Sequence, residues 1–267
     1  YSRKGRNSRQ DQKWDLLLDF GRLVEEIKPE LVTMENVPQV LDHPIFEIFL
    51  KSLSEYHLWY QCVDCVDYGI PQKRKRLVLL ASRLGPIELI EPTHTGKKRR
   101  TVSDVIYKLP SLEAGETDPN DNLHTACSLS DLNLARIKAS KPGGTWRDWP
   151  RKLRAQCHKK QSGETYPSVY GRMEWDLPAP TITTQCFGFG NGRFGHPEQN
   201  RAISLREAAL IQTFPKNYKF VPANKVVKFS VLGRLIGNAV PVRLGRVIAE
   251  SINLHIAAIN KQVFDDQ

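Results

Sequence analysis

The sequence predicts an α/β fold: a mostly parallel sheet flanked by helices, interrupted by a smaller, loop-rich module. Three observations carry this. Amphipathic helical stretches alternate with short apolar runs over residues 1–84, as in chains that build a sheet through helical crossovers. The run "RLVLLAS" is apolar nearly throughout, as in a strand buried on both faces. From about Gly85 the pattern dissolves into segments rich in Pro, Gly and charge, and helical periodicity returns only near residue 201. The expected division is therefore 1–84, 85–200 and 201–267, with the first and last parts sharing one sheet domain.

The elements follow in order. "KWDLLLDFGRLVEEIKP" places Trp14, Leu17, Leu18, Val24 and Ile27 on one helical face, and Pro29 ends it. "ELVTMEN" is a short apolar strand. "PIFEIFLKSLSEY" begins with Pro44 in the first turn of a second amphipathic helix. A strand around Trp59–Val66 leads through the turn "DYGIP" into "RLVLLAS". Within the module, "SDLNLARIKAS" is the one helix-like piece. In "ISLREAALIQTFP", Ser204 and Glu207 form a capping box and Pro215 closes the helix. The last helix, "PVRLGRVIAESINLHIAAI", aligns Leu244, Ile248, Ile252, Ile256 and Ile259, with Pro241 in its first turn.

Charge narrows the function classes. Thirty-nine Lys and Arg against 29 Asp and Glu give a net charge of +10 and a pI near 9.4, which favours a polyanionic partner, nucleic acid first. No apolar run approaches the roughly 20 residues of a membrane span, and no secretory leader is seen. Five Cys in no framework spacing point to a reducing compartment. Cys62 and Cys65 form a C-x-x-C, but in a strand that separation sends the side chains to opposite faces, and no second pair completes a metal site. No metal is expected. The first residue is Tyr1 rather than Met, which suggests a fragment or a processed chain.

Two stretches carry chemistry. In "PQKRKRLVLL" an extended chain sends Gln72, Arg74 and Arg76 to one face and Lys73 and Lys75 to the other. The result is either a donor-rich surface for phosphate or base edges, or a solvated basic edge. In "LVTMENVPQVL" an apolar strand ends in Glu35 and Asn36. Ligands of open α/β sheets sit beyond the carboxyl ends of the strands, where a partly desolvated Glu can hold a proton near neutral pH. The plainer alternative is a loop acid that caps a backbone N–H.

The motifs "ENV", "DYGIPQKRKR", "PAPTITT", "RAISLREAALIQTFP" and "IGNAV" occur in the order found in DNA (cytosine-5)-methyltransferases, and nearly the whole chain resembles that family. The resemblance implies part of a Rossmann-like S-adenosylmethionine-dependent methyltransferase sheet, a flipped cytosine, attack of a Cys thiolate at carbon 6 and methyl transfer to carbon 5. By the same resemblance Glu35 contacts the cytosine N3 and amine, Asn36 orders its loop, Arg76 holds O2, and Arg74 steadies the site. Thr181 contacts a phosphate beside the flipped base, and Asn238 with Ala239 lies beside the methyl donor. A proton at N3 and a cation at O2 both stabilise the negative charge that thiolate attack places in the ring.

The module resembles the family's target recognition domain, with "CHKKQSGETYPSVYGR" and "TTQCFGFGNGRFGHPEQ" as DNA-facing loops. Gln72, Arg172, Arg193, His196 and Gln199 are then candidates for contacts with double-stranded DNA. Residues 141–160 carry Trp146 and Trp149 among seven Lys/Arg and one acid, a mixture suited to backbone contact or, for the tryptophans, to the module's core.

Two family essentials are absent from these 267 residues: the glycine-rich donor loop and the Pro-Cys-Gln nucleophile. Cys186, in a glycine-rich loop, is the tempting substitute, but it lies on the recognition side with no paired base. The expectation is a catalytic and recognition portion of a bacterial restriction–modification enzyme, cytoplasmic and nucleoid-associated, inactive without a complementary N-terminal segment or subunit. Without that half of the sheet, an apolar face is expected to be exposed. The alternatives are a non-catalytic sequence-specific DNA-binding protein and a relative that methylates transfer RNA.

Overall fold

The computed structural model describes residues 7–160, 167–222 and 225–265. The described residues pack as two compact units. One comprises the residues up to Asp64, Lys75–Pro92 and those from Gly245 onward; the other comprises Cys65–Arg74 and Thr93–Leu244. Packing thus groups residues 201–244 with the module, where the sequence division puts them with the sheet.

In the first unit, helix α1 (Asn7–Ile27) precedes strand β1 (Leu31–Asn36), helix α2 (Pro44–Lys51) and strand β2 (His57–Asp64). Strand β4 (Lys75–Ser82) lies between β1 and β2 and runs antiparallel to both. The mostly parallel arrangement read from the sequence is corrected here. β1 and β2 point the same way, as the helical crossover through α2 requires. β2 and β4, however, are separated by residues 65–74 alone, too few for the dozen or more of a parallel crossover. An apolar run reports burial on both faces and says nothing of direction.

Leu77–Ala81 of β4 are fully buried. Val32, Met34, Leu77, Leu79 and Ala81 pack with Leu17 and Val24 of α1 and with Ile45, Phe46 and Phe49 of α2. Leu18 and Ile27 of α1 are exposed, so its buried stripe is narrower than the sequence suggested. Helix α7 (Val242–Asp265) anchors to this unit where Ser82 Oγ meets His255 Nε2 at 2.8 Å and Ser251 Oγ accepts the Ile90 N–H. β1 is an edge strand among the described residues, and beside it Phe20, Leu23, Val24, Ile27, Leu31 and Val32 line an apolar groove of about 280 Å³.

The second unit contains strand β3 (Gln72–Lys73), helix α3 (Ser103–Ile106), strands β5 (Thr117–Asp118) and β6 (Asp121–Thr125), helix α4 (Asp131–Lys138), strand β7 (Ala179–Pro180), and helices α5 (Leu205–Ile211) and α6 (Phe229–Asn238). β3 pairs parallel with β7. The Ser204–Glu207 capping box of α5 forms as the sequence predicts. Its core joins Val102, Ile106 and Leu123 to Leu205, Ala208, Leu232 and Ile236. That shared core is why α5 and α6 belong with the module in packing terms. Trp146 and Trp149 are both buried, with Ile137 and Phe189, and form a second cluster rather than a DNA-facing surface.

Candidate active site

The antiparallel register assembles the first pair of candidates. Glu35 lies opposite Val78, and Arg76 precedes Val78 by two residues, so both side chains leave the same face at one end of the sheet as a diagonal cross-strand pair. Arg76 Nε stands 2.7 Å from Glu35 Oε1, both side chains largely buried, and Arg76 Nη1 donates to the Lys75 carbonyl at 2.7 Å. Asn36 Oδ1 accepts the Val37 N–H at 2.8 Å, which orders the turn that follows the strand. An acid and a guanidinium therefore stand side by side where the chain leaves β1 and enters β4.

Gln72 and Arg74 are both buried, where the sequence suggested a donor-rich surface or a solvated edge. Gln72 is fully buried, donates to Gln212 Oε1 (2.7 Å) and the Ile211 carbonyl, and accepts the Ile182 N–H. Both ends of its amide are thus committed inside the protein. Arg74 Nη1 donates to the Ile182 carbonyl (3.1 Å), and its Nη2 reaches the Gly237 and Ala239 carbonyls at 3.5 Å. Arg74 thus steadies loops without facing solvent. The Thr181 hydroxyl donates to the Lys73 carbonyl at 2.6 Å.

Three more DNA-contact candidates make hydrogen bonds within the protein. Arg172 is buried and its guanidinium donates to the carbonyls of Ile137, Ser140, His196 and Gln199 and to Asn200 Oδ1. His196 is buried, and its Nδ1 accepts the Glu198 and Gln199 N–H groups. Gln199 Oε1 accepts from the Leu112 N–H and from Arg201 Nε. In glycine-rich loops the backbone lacks partners of its own, and these side chains supply them. Arg193 alone of the module candidates is exposed. Residues 161–166 of the first expected DNA-facing loop, and residues 1–6 of the opening segment, lie outside the described residues.

Burial pushes the His196 imidazole down to about 4, partly opposed by the Glu207 carboxylate 3.7 Å away. The folded state then binds the proton less readily than the unfolded chain, whose His titrates near 6.5. Stability from this group is full above about pH 6.5 and is lost as pH falls towards 4. The loss amounts to about 3 kcal/mol at ~1.4 kcal/mol per unit. Glu207, held below its usual range by Arg201 against its own burial, acts in the same direction at lower pH. Denaturant midpoints measured from pH 7 to pH 4 should fall steadily, and His196→Gln should flatten that slope.

The comparisons with known proteins bear on this geometry. Residues 1–254 match the family described as C-5 cytosine-specific DNA methylase. The Type II methylase M.HgiDII of Herpetosiphon aurantiacus is 54% identical across 98% of the chain and 75% of its own length. The chain belongs to this family. The Type II methyltransferase M1.HphI of Haemophilus parahaemolyticus is 31% identical over 93% of the chain, which spans 63% of that relative. Among solved structures, a DNA modification methyltransferase encoded within an E. coli prophage superposes with a TM-score of 0.67 at 21% identity, covering 91% of this chain and 74% of that one. The fold is thus that of S-adenosylmethionine-dependent DNA methyltransferases.

For a cytosine-5 methylase the environments of the cysteines matter. Cys186 is fully buried in the core with Ile203 and Leu205, and burial pushes its thiol up to about 12. Cys62 is exposed on β2, and Cys65 is buried in the turn after it. Thiol labelling of the native methylase at pH 7.5 should modify Cys62 and Cys157, both exposed, and spare Cys65 and Cys186 until the chain unfolds. Among the described residues no group of three His, Cys, Asp or Glu is placed to hold a metal, and no helix is long and apolar enough to cross a membrane.

Several residues of the methylase that matter here were missed from the sequence. α6 was not expected because Gly233 and Gly237 interrupt its pattern. A Cβ at Gly237 would clash with the Thr183 backbone carbonyl, so its absence is what lets the helix close on that loop. Gln212 and Arg201 were not singled out from the sequence, and both are fully buried.

Proposed function

We propose that this chain carries the base-holding and target-recognition parts of a restriction–modification DNA (cytosine-5)-methyltransferase, which methylates carbon 5 of a cytosine flipped out of duplex DNA. The juxtaposition of Glu35 and Arg76 at one end of the sheet supports this above all. In the proposed complex the carboxyl group faces the cytosine N3 and amine, and the guanidinium faces O2. A thiol attacking carbon 6 pushes an electron pair into the ring towards N3 and O2. A proton held between Glu35 and N3, with the Arg76 charge at O2, stabilises that pair more than the neutral ring, which is the condition for a faster reaction.

S-adenosylmethionine, when bound, supplies the methyl group. Of the candidates beside it, Asn238 is exposed at the end of α6 and fits a ligand-facing role, whereas the Ala239 carbonyl already accepts from Arg74 and Gln212. The glycine-rich donor loop and the nucleophilic Cys are absent from the 267 residues, so a complementary segment outside them supplies both. The edge of β1 and its apolar groove suit such a segment. The domain assignment of residues 85–200 as the target recognition domain belongs to the same proposal, with Arg193 and the exposed cations of residues 141–160 as its DNA contacts.

The test is complementation. The part of the Herpetosiphon methylase that this chain does not match is supplied together with this chain, and methyl transfer from labelled donor to unmethylated bacterial DNA is measured. Transfer to carbon 5 of cytosine is expected, with no transfer from either piece alone. DNA binding without transfer would favour a non-catalytic reader, and transfer to tRNA in preference to DNA would assign the substrate differently.

A further inference from the structure

Four of the motifs that mark the family end in one buried polar knot, and at its centre is Gln212. Its side chain is fully buried at the end of α5. Gln212 Oε1 accepts from Gln72 Nε2 at 2.7 Å, and its Nε2 donates to the Ile236 carbonyl (2.8 Å) and the Ala239 carbonyl (3.3 Å). Gln72 in turn accepts the Ile182 N–H, while Arg74 donates to the Ile182 carbonyl and reaches Gly237 and Ala239. One amide therefore ties the β3 segment that leads to the arginines, the loop after β7, and the Gly237–Ala239 turn.

The backbone beside it is strained. Thr213 has φ +63°, a conformation that β-branched residues rarely adopt. Its N–H bonds the Leu210 carbonyl and the Phe214 N–H bonds the Ala209 carbonyl, the helix-ending arrangement in which glycine usually supplies the left-handed residue. Here the hydroxyl has a use that glycine lacks: Thr213 Oγ1 accepts the Arg243 N–H at 2.9 Å, while the Gln212 carbonyl accepts the Val242 N–H. Both ends of the "IGNAVPVR" segment are thus fastened to residues 212 and 213.

We propose that Gln212 is a positioning residue for methyl transfer: it fixes the turn bearing Asn238 relative to the segment bearing Arg74, so that the donor-facing turn keeps one geometry. The proposal rests on the methyltransferase reading above. A displacement of about 1 Å between reacting groups costs on the order of 100-fold in rate. Gln212→Met keeps length and loses every side-chain hydrogen bond; Gln212→Glu keeps the acceptor for Gln72 and loses the donor to Ile236 and Ala239.

The experiment uses the complemented enzyme, with kcat, KM for the donor and the melting temperature read for each variant. The expected result is a kcat at least 10-fold lower in both variants, at temperatures where circular dichroism shows them folded, with donor KM within threefold of the parent. A kcat within twofold in a folded variant overturns the proposal. So does a kcat loss that only tracks the unfolded fraction, or failure of both variants to fold, because each assigns Gln212 to stability alone. Absence of transfer by the parent complemented enzyme would instead refute the methyltransferase reading itself.

Discussion

Glu35→Gln is expected to lower single-turnover methyl transfer by the complemented enzyme about 100- to 1000-fold, the scale of losing one preorganised partner of the developing charge. The amide matches the carboxylate in size but cannot carry a proton to N3. Arg76→Met should lose a comparable amount through the O2 side. The two side chains are 2.7 Å apart and face one substrate, so the double variant should fall little below the worse single one. Tritium transfer from labelled donor measures all three. Rates within threefold of the parent for Glu35→Gln would remove the acid from the chemistry.

The largest effect on stability is expected from Glu207→Gln. Glu207 and Arg201 are both fully buried, with paired contacts of 2.7 Å between the guanidinium and the carboxylate, and the same carboxylate accepts the Ser204 N–H. Removing one charge leaves the Arg201 cation buried without its counter-ion, a loss of about 3–5 kcal/mol. Arg201→Met with Glu207→Gln should recover part of it, since neither charge is then stranded. Arg22→Ala, which breaks a pair whose side chains are 57% and 56% exposed, should leave the denaturation midpoint nearly unchanged. Chemical denaturation of each variant gives the order directly, and equal effects for the buried and the exposed pair would contradict it.

Local patterns were legible where a residue's own type decides its environment. The Ser204–Glu207 capping box and the buried run of β4 both follow from local residue pattern. Strand direction was not, because burial and apolarity are the same for parallel and antiparallel neighbours. The pairing of Glu35 with Arg76 lies between these cases. The motifs named both residues, but their proximity comes from the antiparallel register of β1 and β4, which places residues 41 positions apart at one end of the sheet.

The recognition module was the least legible part. Arg172, His196 and Gln199 have the chemistry of base readers, yet the glycine-rich loops around them carry backbone carbonyls and N–H groups that need partners, and these side chains are spent on them. A buried backbone group without a partner costs as much as a lost hydrogen bond, and a sequence does not reveal which side chain meets that need. The exposed Arg193 shows the contrast: a neighbouring residue type on the same loop with no such burial.

The most direct measurement is a crystal structure of the complemented enzyme bound to its DNA site carrying 5-fluorocytosine at the methylated position. The extruded ring is expected to be seated with the Glu35 carboxyl group and the Arg76 guanidinium each at about 3 Å from it, on the N3 and O2 sides respectively. A cytosine bound elsewhere, with the Glu35–Arg76 pair still closed on itself, would contradict it.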